Sequence, residues 1–441
     1  MIVRAERLSA VRLTLLLTAL AGANVALGFL YNWYLLTRIG PGAQTDALFA
    51  GLMIPQLLVA VLGGSLTNVL VPVFATENQG SSSALPWTTF HAILLAGSAA
   101  AMVLALTAPL WAPLTVPGFG PESTSLTITL VRIQLIAVVL TLVATVQRAA
   151  YNARHRFVWA EASGVLAILG SFGFLALGLP RLGILAAAWA GVFRAVLQSG
   201  LLFRGMGPYH SPRWEHGRLA GLWHRLHPLL LGSVYYKSDI VLDRLLATLV
   251  PSGFLSLYYL ADQLWSSGYL VLSKAIAAPA IPRLAQSAAG GDWQRFRRIN
   301  RRRLAALVLI ALATYVILLL TGHPLLTLLF QHSRFGPTEV RQLWWLLVAL
   351  GGLWIGGAAG QIVATSFYAK GDTRTPMRIG AFWFTVGIAL KLAGFYLFGI
   401  WGIALGTSLS YLASAAAQQL ALERRYRLAP ASTPAATSLS R

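Results

Sequence analysis

Cysteine is absent from the 441 residues and charge is scarce: 11% of the chain is Asp, Glu, Lys or Arg, with 13 acids against 34 Lys and Arg. The lack of cysteine excludes disulfides, thiolate catalysis and thiolate metal sites. A soluble domain carries about 25% charged residues. A chain that is 57% hydrophobic, with a mean hydropathy of +0.67, has too little polar surface for a water-facing fold built on one large core. Enzyme constellations are missing as well. Glu161 and Asp292 stand alone, and no glycine-rich phosphate loop follows a strand. The sequence therefore reads as a non-enzyme with no resident cofactor or metal.

What the chain has is long apolar runs. A membrane-crossing helix needs about 20 mostly apolar residues. Cutting the runs at Pro, Gly and charge clusters gives twelve segments: 12–36, 46–75, 89–112, 125–148, 158–179, 183–203, 228–250, 254–281, 304–322, 340–368, 378–397 and 400–422. The fold class expected is an all-α polytopic membrane protein. The basic stretch before Leu13 runs into the first segment without a small-residue cleavage site, so a retained first span is expected rather than a removed signal peptide.

The net charge of +21 would suggest nucleic acid in a soluble chain. Here topology explains it. With the N-terminus in the cytoplasm, the cytoplasmic segments hold the clusters around Arg4 to Arg12, Arg148 to Arg156, Arg204 to Arg225, Arg283 to Arg303, Lys370 to Arg378 and Arg424 to Arg441. The opposite side holds only Arg38, Arg181, Arg334 and Arg341. Cytoplasmic loops collect Arg and Lys, so an even number of spans is expected, with both termini cytoplasmic and no nucleic-acid partner.

The two halves resemble each other. Val71-Pro72-Val73-Phe74-Ala75 is echoed by Ile281-Pro282-Arg283-Leu284-Ala285. Tyr151-Asn152-Ala153-Arg154, followed by an apolar run and Gly183-Ile184, is echoed by Tyr368-Ala369-Lys370-Gly371, followed by an apolar run and Gly399-Ile400. Six spans per half enter the membrane in the same orientation, as in parallel repeats. The expected organisation is a six-helix lobe at 1–203, a basic linker at 204–227, a second lobe at 228–427 and a disordered tail at 428–441, with the two pseudo-symmetric lobes around a central cavity. The linker histidines His210, His216, His224 and His227 match no ligand spacing, and an amphipathic helix on anionic lipid is the reading preferred.

Ionisable side chains at bilayer depth are costly and face a partner or a water-filled cavity. The candidates are Arg132, Arg194, Lys237, Asp239, Asp243, Arg244, Asp262, Lys274 and Lys391, with Asp46 at the start of the second span. On a continuous helix Lys237 and Arg244 share a face, and Asp239 and Asp243 pair on the other. Either face could line a cavity. Arg132 reads as an interfacial cation. Pro55, Pro72, Pro279 and Pro282 interrupt backbone hydrogen bonding and permit bending.

Three stretches carry a family resemblance: Thr45-Asp46-Ala47-Leu48-Phe49 with Ile54-Pro55-Gln56-Leu57-Leu58 and Val71-Pro72; Asp243-Arg244 with Tyr258-Tyr259-Leu260-Ala261-Asp262; and Phe367 through Asp372-Thr373-Arg374-Thr375-Pro376. The chain resembles the lipid II flippase (MviN/MurJ) family of the multidrug/oligosaccharidyl-lipid/polysaccharide exporter superfamily. That resemblance implies two six-helix lobes alternating access and a bacterial inner-membrane flippase for polyprenyl-pyrophosphate-linked saccharides. It also implies envelope-assembly glycosyltransferases as partners alongside the bilayer. Where the family places arginines, this chain has Asn32, Val59 and Ala60, and Ala261-Asp262 is followed by Gln263. The substrate-binding set expected is Lys237, Arg244, Lys274, Arg194, Lys391, Gln263 and Asn32, serving lipid II or another polyprenyl-linked saccharide. Asp46, Asp239, Asp243 and Asp262 are expected in gating or ion coupling. The rivals are a cation antiporter of the same superfamily and a membrane polysaccharide polymerase or ligase; six basic against three or four acidic intramembrane charges favour an anionic substrate.

Overall fold

The computed structural model describes residues 2–427 except 78–83, 213, 215, 278–283, 285, 289, 332 and 333. Pro279, Pro282 and the tail at 428–441 lie outside the described residues. Among the described residues there is no strand, as expected where hydrocarbon offers the backbone no water to bond.

The first half contains α1 (Ile2–Ile39), α2 (Ala43–Gly51), α3 (Met53–Leu58), α4 (Gly64–Glu77), α5 (Leu85–Thr115), α6 (Pro121–Ala153), α7 (Phe157–Leu182) and α8 (Leu185–Leu202). Then come α9 (His216–Lys237), α10 (Asp239–Ala247) and α11 (Phe254–Ala277). The chain continues through α12 (Trp293–Phe330), α13 (Pro337–Ala349), α14 (Gly351–Ala369), α15 (Arg374–Phe398) and α16 (Ile400–Arg427). Among the described residues ten helical segments are long and apolar enough to cross a membrane. They correspond to the first six and last four expected spans. Segments 228–250 and 254–281 fall short of that standard. The first is divided at Ser238 into α9 and α10, and the second carries Asp262, Gln263 and Lys274.

The second span is built in pieces for a local reason. Pro55 has no N–H to return to Gly51, and α2 gives way to α3 at Leu52. A π-helical turn at Val59–Gly63 then leads into α4. Such turns widen a helix locally and recur at functional sites.

The internal repeat extends to hydrogen bonds. At the end of α6, Arg154 and Arg156 N–H both donate to Tyr151 O while His155 turns to φ 58°. At the end of α14, Lys370 and Asp372 N–H both donate to Phe367 O while Gly371 turns to φ 73°. One helix later Gly183 (φ 56°) and Gly399 (φ 59°) each donate back four residues and reverse the chain. The turns at His155 and Gly371 are left-handed helix C-caps, and Gly183 and Gly399 take a positive φ with ψ near −135°, a conformation open to glycine.

The contacts divide the chain into two units. The first comprises residues 1–260 and 327–340. Its centre is α6, buried along most of its circumference and packed by α2, α4, α5 and α8. Leu66, Leu70 and Phe74 of α4 join Val138, Leu142 and Val146 of α6 in an apolar cluster with Trp87 and Leu222. Residues 327–340 pack on α1, where Trp33 Nε1–H donates to Leu329 O at 2.7 Å and Phe29 meets Phe330 edge-on. Leu106, Leu110 and Leu114 on α5 are 72–75% exposed, the outward apolar face of a helix in lipid.

The second unit comprises residues 261–326 and 341–441. Trp265 and Trp354 stack with centroids 5.0 Å apart, and their indole N–H groups donate to Leu347 O and Ala311 O, both at 2.9 Å. α15 and α16 touch backbone to backbone: a Cβ on Gly402 would lie 1.9 Å from Gly394 O. Small residues permit such approaches between membrane helices. Gly402→Ala must force α15 and α16 apart and is expected to cost about 1–3 kcal/mol, read as a lower thermal midpoint of the detergent-purified protein.

Candidate functional site

Polar side chains gather in the first unit. Thr45 Oγ1 accepts the Gly42 N–H and starts α2, placing Asp46 in its first turn. The Asp46 carboxylate, 2% exposed, also reaches the start of α11. It accepts Gly253 N–H at 2.6 Å, Ser256 N–H at 2.8 Å and the Ser256 hydroxyl. One carboxylate thus serves the N-terminal ends of two helices, the position where negative charge is most favoured. Beside it, Arg244 is 8% exposed. Its guanidinium donates to Phe49 O at 3.2 Å and to Gln56 Oε1, and its carbon lies 4.9 Å from the Tyr259 ring centroid. Phe49 stacks on the same tyrosine with ring centroids 4.1 Å apart, and Gln56 Nε2 donates to the Tyr259 hydroxyl at 3.4 Å. Asp243, also 8% exposed, accepts the Tyr258 hydroxyl at 2.9 Å.

The geometry of Asp46 is that of a structural clasp between α2 and α11. Asp46→Ala would leave two backbone donors and a hydroxyl buried without their acceptor, at about 1–3 kcal/mol for each group left unsatisfied. The expected outcome is a large fall in thermal midpoint and membrane yield, with Ser256→Ala producing a smaller fall.

Next to this clasp lies a cavity of roughly 400 Å³. Pro55 and Gln56 of α3, Val59 and Ala60 of the π turn, Gln134 and Thr141 of α6, and Arg194 and Gln198 of α8 line it. Arg194 and Gln198 stand one turn apart on α8 and face the same way. Among the described residues Arg194 has no ion pair and no hydrogen bond. It lies within electrostatic reach of Tyr31, Tyr259 and Arg148. A guanidinium in an apolar bundle without an anion is expensive; Arg194 lines a cavity in which an anion would remove that cost.

The other sequence candidates are placed apart. Lys237, at the end of α9, is exposed, whereas Arg244 is buried, so the interruption at Ser238 breaks the shared face expected for them. Asp239 is half-buried in the first turn of α10. Asn32 is 7% exposed and donates to Gly28 O one turn back along α1. Arg132 is exposed and donates to Ala105 O. In the second unit, Asp262 accepts the Ser266 hydroxyl at 3.3 Å, Gln263 is half-buried and Lys391 is 2% exposed within α15. The Lys274 side chain lies outside what the structure describes. Among the described residues no three His, Asp or Glu gather to hold a metal ion.

Sequence reasoning missed Gln56, Gln134, Gln198 and Arg148. Neutral amides cost little in hydropathy, and Arg148 counted as a loop cation. The signal available was spacing: Gln134, Thr141, Thr145 and Arg148 recur on one face of α6, as Arg194 and Gln198 do on α8.

The Asp372-Thr373-Arg374-Thr375-Pro376 element opens α15. Asp372 Oδ1 accepts Thr375 N–H at 3.0 Å, and Oδ2 pairs with Arg425. Burial pushes the Asp372 carboxyl up, but the Thr375 hydrogen bonds and the Arg425 charge outweigh it and hold it below the ordinary carboxylate value. A carboxyl lowered on folding stabilises the fold above its unfolded value, near ~3.9, and that contribution is lost as pH falls through the folded value. Asp372→Asn should therefore lower the thermal midpoint modestly at neutral pH. The gap from the parent protein should close below about pH 4, as measured by melting across a pH series.

Comparison with known proteins places this geometry. The family model described as "Lipid II flippase MurJ" matches residues 36–440. A "Probable lipid II flippase MurJ" from Rhizobium meliloti (strain 1021) is 23% identical over 410 residues, covering 86% of this chain and 74% of its own length. The solved structure titled "Lipid II flippase MurJ, inward closed conformation" superposes with a TM-score of 0.80 at 16% identity, covering 93% of this chain and 87% of that one. An inward-facing multidrug resistance MATE family transporter of the MOP superfamily superposes with a TM-score of 0.71 at 14% identity, covering 93% of this chain and 94% of that one.

Proposed function

Because the chain belongs to the lipid II flippase MurJ family, we propose that it moves a polyprenyl-diphosphate-linked saccharide, lipid II or a close relative, across the bacterial inner membrane. The product would serve peptidoglycan or another envelope polysaccharide. The protein is a multi-span transporter rather than an enzyme. The observation that carries the anionic substrate is Arg194, a cation inside the bundle with no counter-ion among the described residues, facing a cavity. A diphosphate supplies the missing charge. Gln56, Gln134 and Gln198 supply neutral donors that bind phosphate oxygens without adding charge repulsion among themselves.

In the proposed cycle the diphosphate enters from the cytoplasmic leaflet while the polyprenyl tail stays in hydrocarbon, and alternating access of the lobes at 1–203 and 228–427 delivers the saccharide to the outer leaflet. The linker at 204–227 and both termini are assigned to the cytoplasm on the strength of the basic clusters. Arg244 is read as the group that orients Gln56 toward substrate. Asp46 belongs to the clasp, and Asp239, Asp243 and Asp262 are the carboxylates assigned to gating or ion coupling. Lys237, Lys274, Lys391, Gln263 and Asn32 complete the proposed substrate set. The glycosyltransferases that assemble the lipid-linked sugar and consume it are the partners expected. A cation exporter is disfavoured, because an uncompensated guanidinium repels its cargo.

The test is leaflet transfer of fluorescent lipid II by the purified protein in vesicles, beside rescue of cells depleted of their lipid II flippase. Transfer and rescue are expected, and Arg194→Gln should reduce transfer about tenfold or more, the worth of a charge-assisted hydrogen bond. Absence of transfer for lipid II and for other polyprenyl-diphosphate saccharides, by folded protein, would overturn the reading.

A further inference from the structure

A second cavity, of roughly 350 Å³, lies in the first unit and is lined by a different set of residues from the Arg194 cavity. Leu66 and Leu70 of α4 and Leu142 of α6 are its buried floor. Its walls are α5 and α9. Ala92, Ala96 and Ala100 stand one turn apart on α5 and leave room that larger side chains would fill. Across the groove, Leu222, Leu226 and Leu230 recur four residues apart on α9. With Trp223 they span an arc of about 100°, and Arg225 stands about 60° beyond one edge of it and His227 about 40° beyond the other. Both basic side chains are exposed, as are Ala96, Ala100 and Trp223, so the groove opens at the protein surface with a basic rim.

Among the described residues lining this groove, Thr89 alone carries a hydroxyl. Thr89 is 4% exposed, and its Oγ1 has no hydrogen-bond partner among the described residues. Threonines elsewhere in the first unit donate one turn back along their helices, as Thr107 does to Val103 O and Thr141 to Ala137 O, both at 2.7 Å. The Thr89 hydroxyl forgoes that bond, and an unmet hydroxyl in an apolar site is costly. Its depth is set by Trp87, two residues earlier, whose ring packs edge-on against Phe203 and Tyr209 and whose N–H donates to Pro208 O at 2.8 Å. Tryptophan and tyrosine collect at the headgroup level of a bilayer. Thr89 stands just inside that level, where the ester carbonyls of a diacyl lipid lie. From Thr89 to Ala100 the groove follows α5 for about 16 Å, about half of the ~30 Å hydrocarbon thickness, which is the depth of one leaflet.

We infer that the groove between α5 and α9 binds one anionic glycerophospholipid from the leaflet on the α9 side, the side assigned above to the cytoplasm. An acyl chain lies along α5, its ester carbonyl accepts the Thr89 hydroxyl, and the phosphate stays at the rim beside Arg225. Apolar contact alone does not select this occupant, because lipid tails are as apolar as leucine. Selection comes from the polar ends of the groove: an acceptor for a hydroxyl that lacks one, and an anion beside an exposed cation. A polyprenyl chain brings no carbonyl, and a zwitterionic headgroup brings its own cation. A chain seated here touches α4, α5, α6 and α9 together and ties the linker helix to the first unit. Such a lipid is a resident of the fold rather than cargo.

The experiment uses the full chain, delipidated in detergent and titrated with single lipids, with bound lipid counted by native mass spectrometry. The probes are diester phosphatidylglycerol, its diether analogue, phosphatidylcholine and undecaprenyl phosphate. Diester phosphatidylglycerol should bind about fivefold more tightly than the diether, the worth of one neutral hydrogen bond. Thr89→Val should erase that difference. It keeps the shape of the side chain and removes an unmet hydroxyl, so without lipid the variant should melt no lower than the parent. Arg225→Gln should cut the preference for phosphatidylglycerol over phosphatidylcholine about fivefold. Ala96→Phe, which fills the groove from its exposed rim, should abolish the diester preference in protein that stays monodisperse. A diester preference that survives both Thr89→Val and Ala96→Phe, or that the parent protein never shows, overturns the site. Tighter binding of undecaprenyl phosphate than of phosphatidylglycerol, lost in Ala96→Phe, overturns the phospholipid and gives the groove to a polyprenyl chain.

Discussion

Hydrocarbon offers no water to a polar group, so each donor, acceptor and charge inside this protein must find its partner within the chain or in a ligand. The backbone meets that demand by staying helical and by ending helices in left-handed caps that reclaim the last carbonyls, as at His155 and Gly371. Tryptophans meet it by donating to carbonyls of neighbouring helices, as Trp265 and Trp354 do. Asp46 meets it by accepting two backbone N–H groups and a hydroxyl at once. Against that background two guanidiniums, at Arg148 and Arg194, are left without a counter-ion among the described residues.

The distinction between satisfied and unsatisfied charge organises the site. Arg244 looks functional on a hydropathy argument, yet its guanidinium is held by Phe49 O, Gln56 and the Tyr259 ring. It holds Gln56, which lines the cavity. Arg194 faces the same cavity and has nothing comparable. The π turn at Val59–Gly63 and the break at Leu52 bend the second span beside that cavity, and Pro55 supplies the chemical cause of the break. Strain-tolerant backbone and uncompensated charge therefore occur together, in the unit where an anion has a place to go.

Much of this was legible beforehand. Span length, the side chosen by Arg and Lys, and the duplicated turns at Tyr151 and Tyr368 are local or periodic properties, and the caps at Gly183 and Gly399 follow their sequence echo to the level of individual hydrogen bonds. The Asp-Thr-Arg-Thr-Pro element proved to be a helix start tied to Arg425, which its Asp-x-x-Thr spacing encodes. The shared face expected for Lys237 and Arg244 is absent because a helical wheel presumes an unbroken helix, and one turn at Ser238 undoes it. Arg148 escaped because a charge near a span end reads as topology whichever way it points.

The amino-acid order by itself determined that the chain is helical, where ten of its spans fall, which ends repeat and that the charges within its apolar segments are mostly basic. These follow from hydropathy, periodicity and the cost of charge in lipid, which depend on neighbours along the chain. Only the tertiary structure decided which charges are spent on the fold and which are left over. That depends on atoms brought together from α2, α10 and α11 at the Asp46 and Arg244 clasp, and from α3, α6 and α8 around the Arg194 cavity. A charge acquires its role from what lies within a few ångströms of it, and those neighbours are far away in sequence.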